Sequence, residues 1–349
     1  METGNLADLA GEVERRLTGA SRRALPPDLA DGLPPGGTVV MVLFDGLGVA
    51  QLTHEAAAPF RDSQLGVLAS SFPTTTSVAL ASMVTAQEPH EHGLIAHLMY
   101  HPGVDRVVNT LKWVDLTGNN VHWDYSTVLP RPNLWERLDT AGVEAITVQP
   151  GPFQGSPLSR LLYRGARFEP AWSEQDLVDA TVDLAYVSGR LIFTYVPPVD
   201  VAGHVHGLES RQFSEAMQYA ARVWDQLQSR LPPGAALIGT ADHGLIEYPE
   251  DRKILVREPR FDSLRFAGDP RGVHVWGDPA LISEFASRVG GEAVDPAGLF
   301  GGSRQPTMGD ALVLAPSGTV VLPPGFDKRL LSYHGGLDAA EVEVPLLVG

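Results

Sequence analysis

Six residues of this sequence have the types and spacing that bind metal ions. Three are aspartates that follow apolar runs, and three are histidines in or near glycine-containing turns: Asp45, Asp200, Asp242, His204, His243 and His334. The chain contains no cysteine, so a thiolate metal site is excluded. Carboxylates and imidazoles together suit two borderline divalent ions, zinc first, with manganese or iron as alternatives. Taken singly, each residue is more often a helix cap or turn residue, so the prediction depends on all six converging.

A run of hydroxyl side chains occupies residues 71–77, which read Ser-Phe-Pro-Thr-Thr-Thr-Ser. The apolar residues 65–69 before it predict a short buried strand, and residues 78–84 after it predict a helix. A helix N-terminus offers unpaired N–H groups and the positive end of the helix dipole, which favour an anion. The cluster alone is most often a helix cap. A metal beside it would make one hydroxyl a nucleophile.

Apolar runs at residues 38–44, 191–196 and 235–240 predict strands buried on both faces of a parallel sheet. Helical patterns at 133–138, 174–188 and 209–231 alternate with strand patterns and indicate βαβ units. Asp45, Asp200 and Asp242 follow the three runs, and ligands of open α/β sheets bind at the carboxyl ends of strands. The sequence therefore predicts an α/β fold with a mostly parallel central sheet and helices on both faces.

The remaining sequence patterns divide the chain into an N-terminal segment and a single domain. Residues 1–37 predict an N-terminal helix, at 5–18, and a Pro/Gly-rich connector. Residues 38–349 predict a single domain that ends in a strand at 342–348. Irregular insertions are expected at about 98–130 and 245–330, as small subdomain segments, with one helix near 279–289.

The composition of the chain limits the binding partners that can be expected. The 349 residues include 26 Lys and Arg against 42 Asp and Glu, which gives a net charge of −16. So acidic a protein is not expected to wrap nucleic acid, and an anionic substrate would need a local positive centre such as bound metal. Neither a signal peptide nor a membrane-length apolar run is seen, so a cytoplasmic protein without a membrane partner is expected.

The order of the motifs resembles the alkaline phosphatase superfamily, and most of all its nucleotide pyrophosphatase/phosphodiesterase branch. The resemblance runs from about Val39 to the C-terminus and is carried by Phe72-Pro73-Thr74-Thr75-Thr76, Thr85, Glu91-His92-Gly93, Asp200-x-x-x-His204, Asp242-His243-Gly244 and His334-Gly335-Gly336. It implies one metal at Asp200, His204 and His334, and a second at Asp45, Asp242 and His243. It also implies Thr76 as a nucleophile that bridges to the second metal, with Thr75 left open.

The resemblance implies a two-metal hydrolase that cleaves phosphodiester or pyrophosphate bonds through a phosphothreonine. Its substrate would be a small anionic phosphate ester, such as a nucleotide. Three aspartates and one alkoxide balance two divalent ions, and a neutral site favours a singly charged diester; Arg106 and Lys112 are only distant cations. The alternatives are a phosphomonoesterase, a phosphonate hydrolase or, less favoured because no ligand is missing, a non-catalytic binding module.

Substrate contacts are less specific in the sequence. His97 stands where the phosphodiesterase branch usually has an asparagine that contacts a phosphoryl oxygen, so it is either a hydrogen-bond donor to substrate or an ordinary loop residue. His90 and His92 predict a polar turn, with metal ligation as the alternative. Five aromatic residues would either stack on a nucleobase or pack a small core: Tyr100, Trp113, Trp123, Tyr125 and Phe153.

Overall fold

A computed structural model of the protein describes residues 3–124 and 128–349. The α-helices in these residues are α1 (Leu6–Thr18), α2 (Pro27–Gly32), α3 (Ala58–Asp62), α4 (Thr76–Thr85), α5 (Pro89–His92), α6 (Leu134–Thr140), α7 (Pro157–Leu162), α8 (Glu174–Ala185), α9 (Pro198–His206), α10 (Arg211–Arg230), α11 (Pro279–Val289), α12 (Pro296–Phe300) and α13 (Ala339–Val342). Within the described ranges, none of these helices is long and apolar enough to cross a membrane.

The strands in the same residues are β1 (Thr38–Phe44), β2 (Gln64–Ala69), β3 (Leu98–His101), β4 (Arg106–Asn109), β5 (Val114–Asp115), β6 (Glu144–Pro150), β7 (Arg167–Ala171), β8 (Arg190–Val196), β9 (Ala235–Thr240), β10 (Ile246–Glu247), β11 (Lys253–Leu255), β12 (Arg265–Asp269), β13 (Gly272–Trp276), β14 (Glu292–Val294), β15 (Ala311–Leu314), β16 (Val320–Leu322), β17 (Ser332–Tyr333) and β18 (Glu343–Val348). They form two seven-stranded sheets and two small two-stranded ones.

The central sheet has the strand order β2-β18-β9-β1-β8-β6-β7. β1 lies between β9 and β8 and is parallel to both, and β6 and β7 continue the parallel arrangement. All seven residues of β1 are buried, Thr38 and the six apolar residues after it, as an almost wholly apolar strand predicts. The mostly parallel α/β sheet flanked by helices is therefore confirmed.

One strand of this sheet differs from the prediction. β2 was expected to be a buried strand, but it lies at the sheet edge, and most of its residues are only half-buried. It pairs antiparallel with β18, which also runs antiparallel to β9. An edge position exposes one side of the strand, which its short apolar run does not reveal.

The long helix α10 packs against α9, the helix that carries the candidate ligands Asp200 and His204. It lies within the helical pattern predicted at 209–231, and its buried face comprises Phe213, Ala216, Met217, Ala220, Ala221, Val223, Trp224 and Leu227. The Trp224 ring lies 6.1 Å from that of Phe44 at the end of β1. Burying each large apolar side chain contributes roughly 1.5–3 kcal/mol, so α10 anchors the neighbouring α9 firmly on the sheet.

The second seven-stranded sheet has the order β14-β15-β13-β12-β3-β4-β5 and is antiparallel. It combines strands from both stretches predicted as irregular insertions. The junction is a pairing between Leu98 of β3 and Gly268 of β12. The sequence predicts no such pairing, because it joins segments about 170 residues apart.

Candidate metal centre

Three neighbouring strands of the central sheet place the aspartates at one edge. Asp45 directly follows β1, Asp242 follows β9, and Asp200 lies in the first turn of α9 after β8. The backbone holds two of them together, since the Asp200 N–H donates to the Asp45 carbonyl at 3.0 Å. Gly46 makes this approach feasible: its φ is +76°, and a Cβ there would lie 2.9 Å from the Asp200 Cα.

His334 reaches the same edge from the C-terminal part of the chain. It follows the short strand β17, which pairs antiparallel with β10. The N–H of Leu331 donates to the His204 carbonyl at 2.8 Å, which ties this segment to α9. His204 itself lies one helical turn after Asp200 on α9. Local backbone bonds thus bring residues from three distant parts of the sequence together.

The three histidines present the same ring atom to the cluster. Their Nδ1 atoms lie at 2.7, 2.7 and 3.2 Å from backbone carbonyls, in the pairs His204–Ser332, His334–Thr74 and His243–Gly244. A carbonyl only accepts, so Nδ1 carries the proton and Nε2 keeps its lone pair. The Nε2 atoms of His204 and His334 are 3.1 Å apart. Two imidazole nitrogens this close need a proton or a metal cation between them, and metal-binding histidines are oriented in this way.

Each candidate carboxylate has a buried oxygen without a partner. Asp45 Oδ2 accepts from the Tyr195 hydroxyl, and Asp242 Oδ1 accepts from the N–H groups of Gly46 and His243 at 3.1 Å. Within the described residues, three other carboxylate oxygens make no hydrogen bond: Asp45 Oδ1, Asp200 Oδ1 and Asp242 Oδ2. Buried unpaired oxygens are costly in a folded protein, so this donor set fits bound cations.

The ligand atoms form two overlapping groups, each spanning less than 4.8 Å. One group comprises Asp200, His204 and His334, and the other comprises Asp45, Asp200 and His243. Asp242 Oδ2 lies 3.4 Å from His243 Nε2 and so borders the second group. The structure thus brings all six predicted ligands together. Asp200 lies between the groups, whereas the resemblance had assigned it to the first one only.

The carboxylates and imidazoles of the cluster shift one another's pKa values, and Asp200 raises the pKa of His204 against its burial. Burial, together with Asp242 and Asp200, raises the pKa of Asp45 well above its usual value. Burial raises the pKa of Asp242 as well. The pKa of Asp200 is lowered, because His204 and His334 outweigh its burial. Burial, His243 and His204 hold the pKa of His334 well below its usual value. Cations would stabilise the ionised carboxylates and the neutral imidazoles alike.

The three threonines at the start of α4 have different partners. Thr74 Oγ1 donates to the Gly336 carbonyl at 3.1 Å, and the Thr75 hydroxyl donates to the Asp269 carboxylate. Thr76 is the first residue of α4, and its Oγ1 lies 3.2 Å from His243 Nε2. Of the three hydroxyls, that of Thr76 faces the ligand cluster.

A cleft of about 460 Å³ opens above the cluster. Its floor includes Thr76, Asp200, His204 and His334. The second sheet and its connections contribute His97, Asn109, Lys112 and Asp269 to one wall, and the aromatic residues of the lining are Phe326 and Tyr333. The second sheet therefore shapes the space next to the candidate nucleophile.

The two predicted distant cations are placed differently. Lys112 lines the cleft, and it is the single lysine or arginine among the described lining residues. Arg106 forms an ion pair with Asp115 instead. Only Lys112 is therefore placed to meet a second negative charge on a substrate.

Nucleobase stacking by the predicted aromatic residues finds no support. Among the described lining residues, none is Tyr100, Trp113, Trp123 or Phe153, and Tyr125 lies outside the described residues. The rings of Trp113 and Trp123 pack 5.3 Å apart, and Tyr100 packs 5.0 Å from Trp276.

The two histidines of α5 are likewise away from the cluster. The buried His92 ring hydrogen-bonds Ser82 Oγ at 3.0 Å and accepts from the Leu94 N–H, and the His90 carbonyl accepts from Gln305. The metal-ligating alternative for these two residues is therefore not supported.

Sequence reasoning missed three residues of the site. Tyr195 has a visible signal, since a tyrosine near the end of a buried strand needs a partner for its hydroxyl. Asn109 and Asp269 have none, because their places in the cleft depend on pairing between distant strands.

Comparisons with known proteins agree with this architecture. The family model of type I phosphodiesterase / nucleotide pyrophosphatase matches residues 39–259. Human ectonucleotide pyrophosphatase/phosphodiesterase 5 has a TM-score of 0.70 at 17% identity, covering 89% of this chain and 87% of that chain. An inactive variant of the murine protein, in complex with AMP, has a TM-score of 0.69 at 16% identity, covering 88% and 87%. No curated protein sequence matches significantly.

Another similar structure is phosphonoacetate hydrolase from Sinorhizobium meliloti 1021, in complex with phosphonoformate. Its TM-score is 0.66 at 18% identity, covering 90% of this chain and 91% of that chain. At such identities the structural likenesses show the fold alone, whereas the family match spans well over half of the chain. The chain belongs to the type I phosphodiesterase/nucleotide pyrophosphatase family of the alkaline phosphatase superfamily.

Proposed function

We propose that this protein is a two-metal hydrolase that cleaves phosphodiester or pyrophosphate bonds through a covalent phosphothreonine at Thr76. One observation carries the proposal. The Thr76 hydroxyl lies at the start of a helix, 3.2 Å from His243 Nε2, beside three buried carboxylate oxygens that have no hydrogen-bond partner among the described residues. Family membership supports a hydrolase of phosphoester bonds.

Seven side chains would hold the metals. Asp200, His204 and His334 form one proposed site, and Asp45, Asp242, His243 and Thr76 form the other. Zinc is the first candidate, and manganese or iron is the alternative, because the donors are nitrogen and oxygen without sulfur. When bound, such cations lower the pKa of a hydroxyl and stabilise negative charge on the oxygens around phosphorus.

The protein's own groups then have defined roles. Once its proton has left, Thr76 Oγ1 attacks phosphorus, and the bond from phosphorus to the leaving oxygen breaks. The phosphothreonine is next hydrolysed by water, which restores the hydroxyl. The N-terminus of α4 favours the negative charge that develops beside it. The buried, hydrogen-bonded ligands keep the site in place between the two steps.

Charge favours a diester or pyrophosphate. Three aspartates and the Thr76 alkoxide carry four negative charges, which two divalent cations balance. A neutral centre stabilises a singly charged diester better than a dianionic monoester. The structure of the related murine protein with AMP supports a nucleotide as the substrate class.

A phosphonate hydrolase is the second candidate, and Lys112 favours it. This lysine lines the cleft and would meet a second anionic group of a small substrate. The fold of phosphonoacetate hydrolase is similar, which makes its substrate a suitable probe. A phosphomonoesterase would use the same lysine.

The test compares three substrates on the zinc-loaded protein: bis-p-nitrophenyl phosphate, p-nitrophenyl phosphate and phosphonoacetate. We expect the diester to have the highest kcat/KM and close to two metals per chain by elemental analysis. Preference for the monoester or phosphonoacetate would replace the first candidate with the corresponding alternative. Two bound metals without turnover of any substrate would favour a binding role.

A further inference from the structure

His97 and Asn109 are neighbours on the cleft wall. His97 immediately precedes β3, Asn109 ends β4, and Leu98 pairs with Asn109 across the ladder. The Asn109 Nδ2 and His97 Nε2 atoms are 3.2 Å apart. Both residues line the cleft that contains Thr76.

The orientation of the Asn109 amide is fixed by the backbone. Its Oδ1 accepts from the N–H groups of Leu111 and Lys112 at 3.0 and 3.1 Å. Because a backbone N–H only donates, the oxygen must face these two groups. The NH₂ group therefore faces His97 and donates to its Nε2. A neutral His97 must then carry its proton on Nδ1.

The His97 backbone is held on both sides. Its N–H donates to Asp269 Oδ2 at 3.2 Å, and its carbonyl accepts from the Thr110 N–H at 2.9 Å. Burial and the nearby His204 lower the pKa of His97 to about 4, so the ring is neutral near pH 7. Among residues 3–124 and 128–349, no group hydrogen-bonds His97 Nδ1. Its N–H is thus available to a ligand in the cleft.

We infer that Asn109 is a positioning residue that holds His97 as the Nδ1–H tautomer, so that His97 donates a hydrogen bond to a phosphoryl oxygen of the substrate. The inference rests on the proposed phosphodiester hydrolysis. A neutral donor stabilises charge that develops on a phosphoryl oxygen without changing the net charge of the centre. Specificity for a singly charged diester is thereby retained.

The substitution Asn109→Asp isolates this role. A carboxylate still accepts from Leu111 and Lys112, so the turn keeps both hydrogen bonds. The group that faces His97 becomes an acceptor, however, and at pH 9 a neutral His97 would move its proton to Nε2. We expect kcat/KM for bis-p-nitrophenyl phosphate to fall about 100-fold, with an unchanged metal content. Asn119→Asp, at an exposed turn of the same sheet, adds the same charge and should stay within about twofold.

A spectroscopic measurement tests the tautomer independently of turnover. Long-range ¹H–¹⁵N correlation spectra of the histidine rings, assigned with His97→Ala, should show Nδ1–H for His97 in the unsubstituted protein and Nε2–H in Asn109→Asp. Nε2–H in the unsubstituted protein would overturn the inference. If the protein hydrolyses no phosphodiester, the proposed function fails, and this spectrum still decides the tautomer.

A double-mutant cycle separates positioning from a structural effect. In the His97→Ala background, Asn109→Asp should change kcat/KM less than about twofold, because the ring through which it acts is absent. An equal loss in both backgrounds would show that Asn109 acts through the turn alone and would overturn the inference.

Discussion

The two seven-stranded sheets contribute to the site in different ways. The central sheet supplies five of the six candidate ligands after the carboxyl ends of adjacent parallel strands, where backbone bonds and buried partners fix them, and His334 joins them from the segment after β17. The second sheet supplies His97, Asn109, Lys112 and Asp269, which line the wall above them. The parallel sheet thus organises the reacting centre, and the antiparallel sheet shapes what can approach it. Changes in the first should alter chemistry and metal content, and changes in the second should alter substrate preference.

The largest effect is expected at Thr76. Thr76→Ala should lower kcat for the diester by at least about 10³-fold, because the nucleophile is lost. Metal content by elemental analysis should stay close to two per chain, since six other ligands remain. Thr75→Ala is the matched control, and its hydroxyl bonds Asp269 rather than facing the ligands. Activity that survives in Thr76→Ala but not in Thr75→Ala would reverse the assignment.

Asp269 should make stability depend on pH. Burial raises the pKa of Asp269 to about 7, although the hydrogen bonds from His97 and Thr75 act to lower it. The folded state therefore binds this proton more tightly than the unfolded state, so stability falls as pH rises from about 4 to about 7. The slope from this group is at most about 1.4 kcal/mol per pH unit.

Urea unfolding of the metal-free protein measures this slope. Asp269→Asn should remove this part of the pH dependence, while all other carboxylates titrate as before. Asp62→Asn, on the exposed end of α3, controls for the loss of one charge. Parallel stability curves for the unsubstituted protein and Asp269→Asn would contradict the prediction.

Substitution of Tyr195 tests whether the central sheet controls metal binding. Its hydroxyl donates to Asp45 Oδ2 and leaves Oδ1 free for a cation. Tyr195→Phe should weaken zinc binding about tenfold, as measured by competition with a chelator. Tyr163→Phe makes the same change in the same core, where the hydroxyl bonds Gln149, and should have little effect. Equal losses in both variants would indicate a general packing effect.

The smallest effect is expected at Lys112. Lys112→Met should raise KM for p-nitrophenyl phosphate severalfold, because the lysine would meet the second negative charge of this dianion. The KM for the diester should stay nearly unchanged, since an exposed lysine contributes little to the binding of a singly charged substrate. Lys328→Met, whose side chain is outside the cleft lining, is the control. An equal rise in KM for both substrates would show that Lys112 does not read substrate charge.

The central sheet and the six ligands could be predicted because their signals are local. The six residues before Asp45 are all apolar, and β1 and β9 begin and end at the predicted residues. Parallel neighbours end at the same edge, so three local signals become one site. Thr76 at the start of α4 is equally local.

The cleft wall could not be predicted, because it depends on long-range pairing. Nothing near His97 in the sequence indicates that its N–H donates to Asp269, which is 172 residues away. The apolar run of β2 predicts burial, because it gives no sign of the strand's edge position. The aromatic residues were plausible for stacking, but their rings pack elsewhere in the fold.

The junction between β3 and β12 has a consequence for local unfolding. The strands β3–β5 join the rest of their sheet through the pairing of Leu98 with Gly268 and a small cluster that includes Val107 and Ala267. Met99 and Trp113 also tie this segment to the main hydrophobic core, so amide exchange in β3–β5 should be slower than this short junction alone would allow, but faster than in the central sheet. Local unfolding of β3–β5 would therefore disrupt the cleft wall that shapes substrate preference, while the candidate metal ligands on the central sheet stay in place.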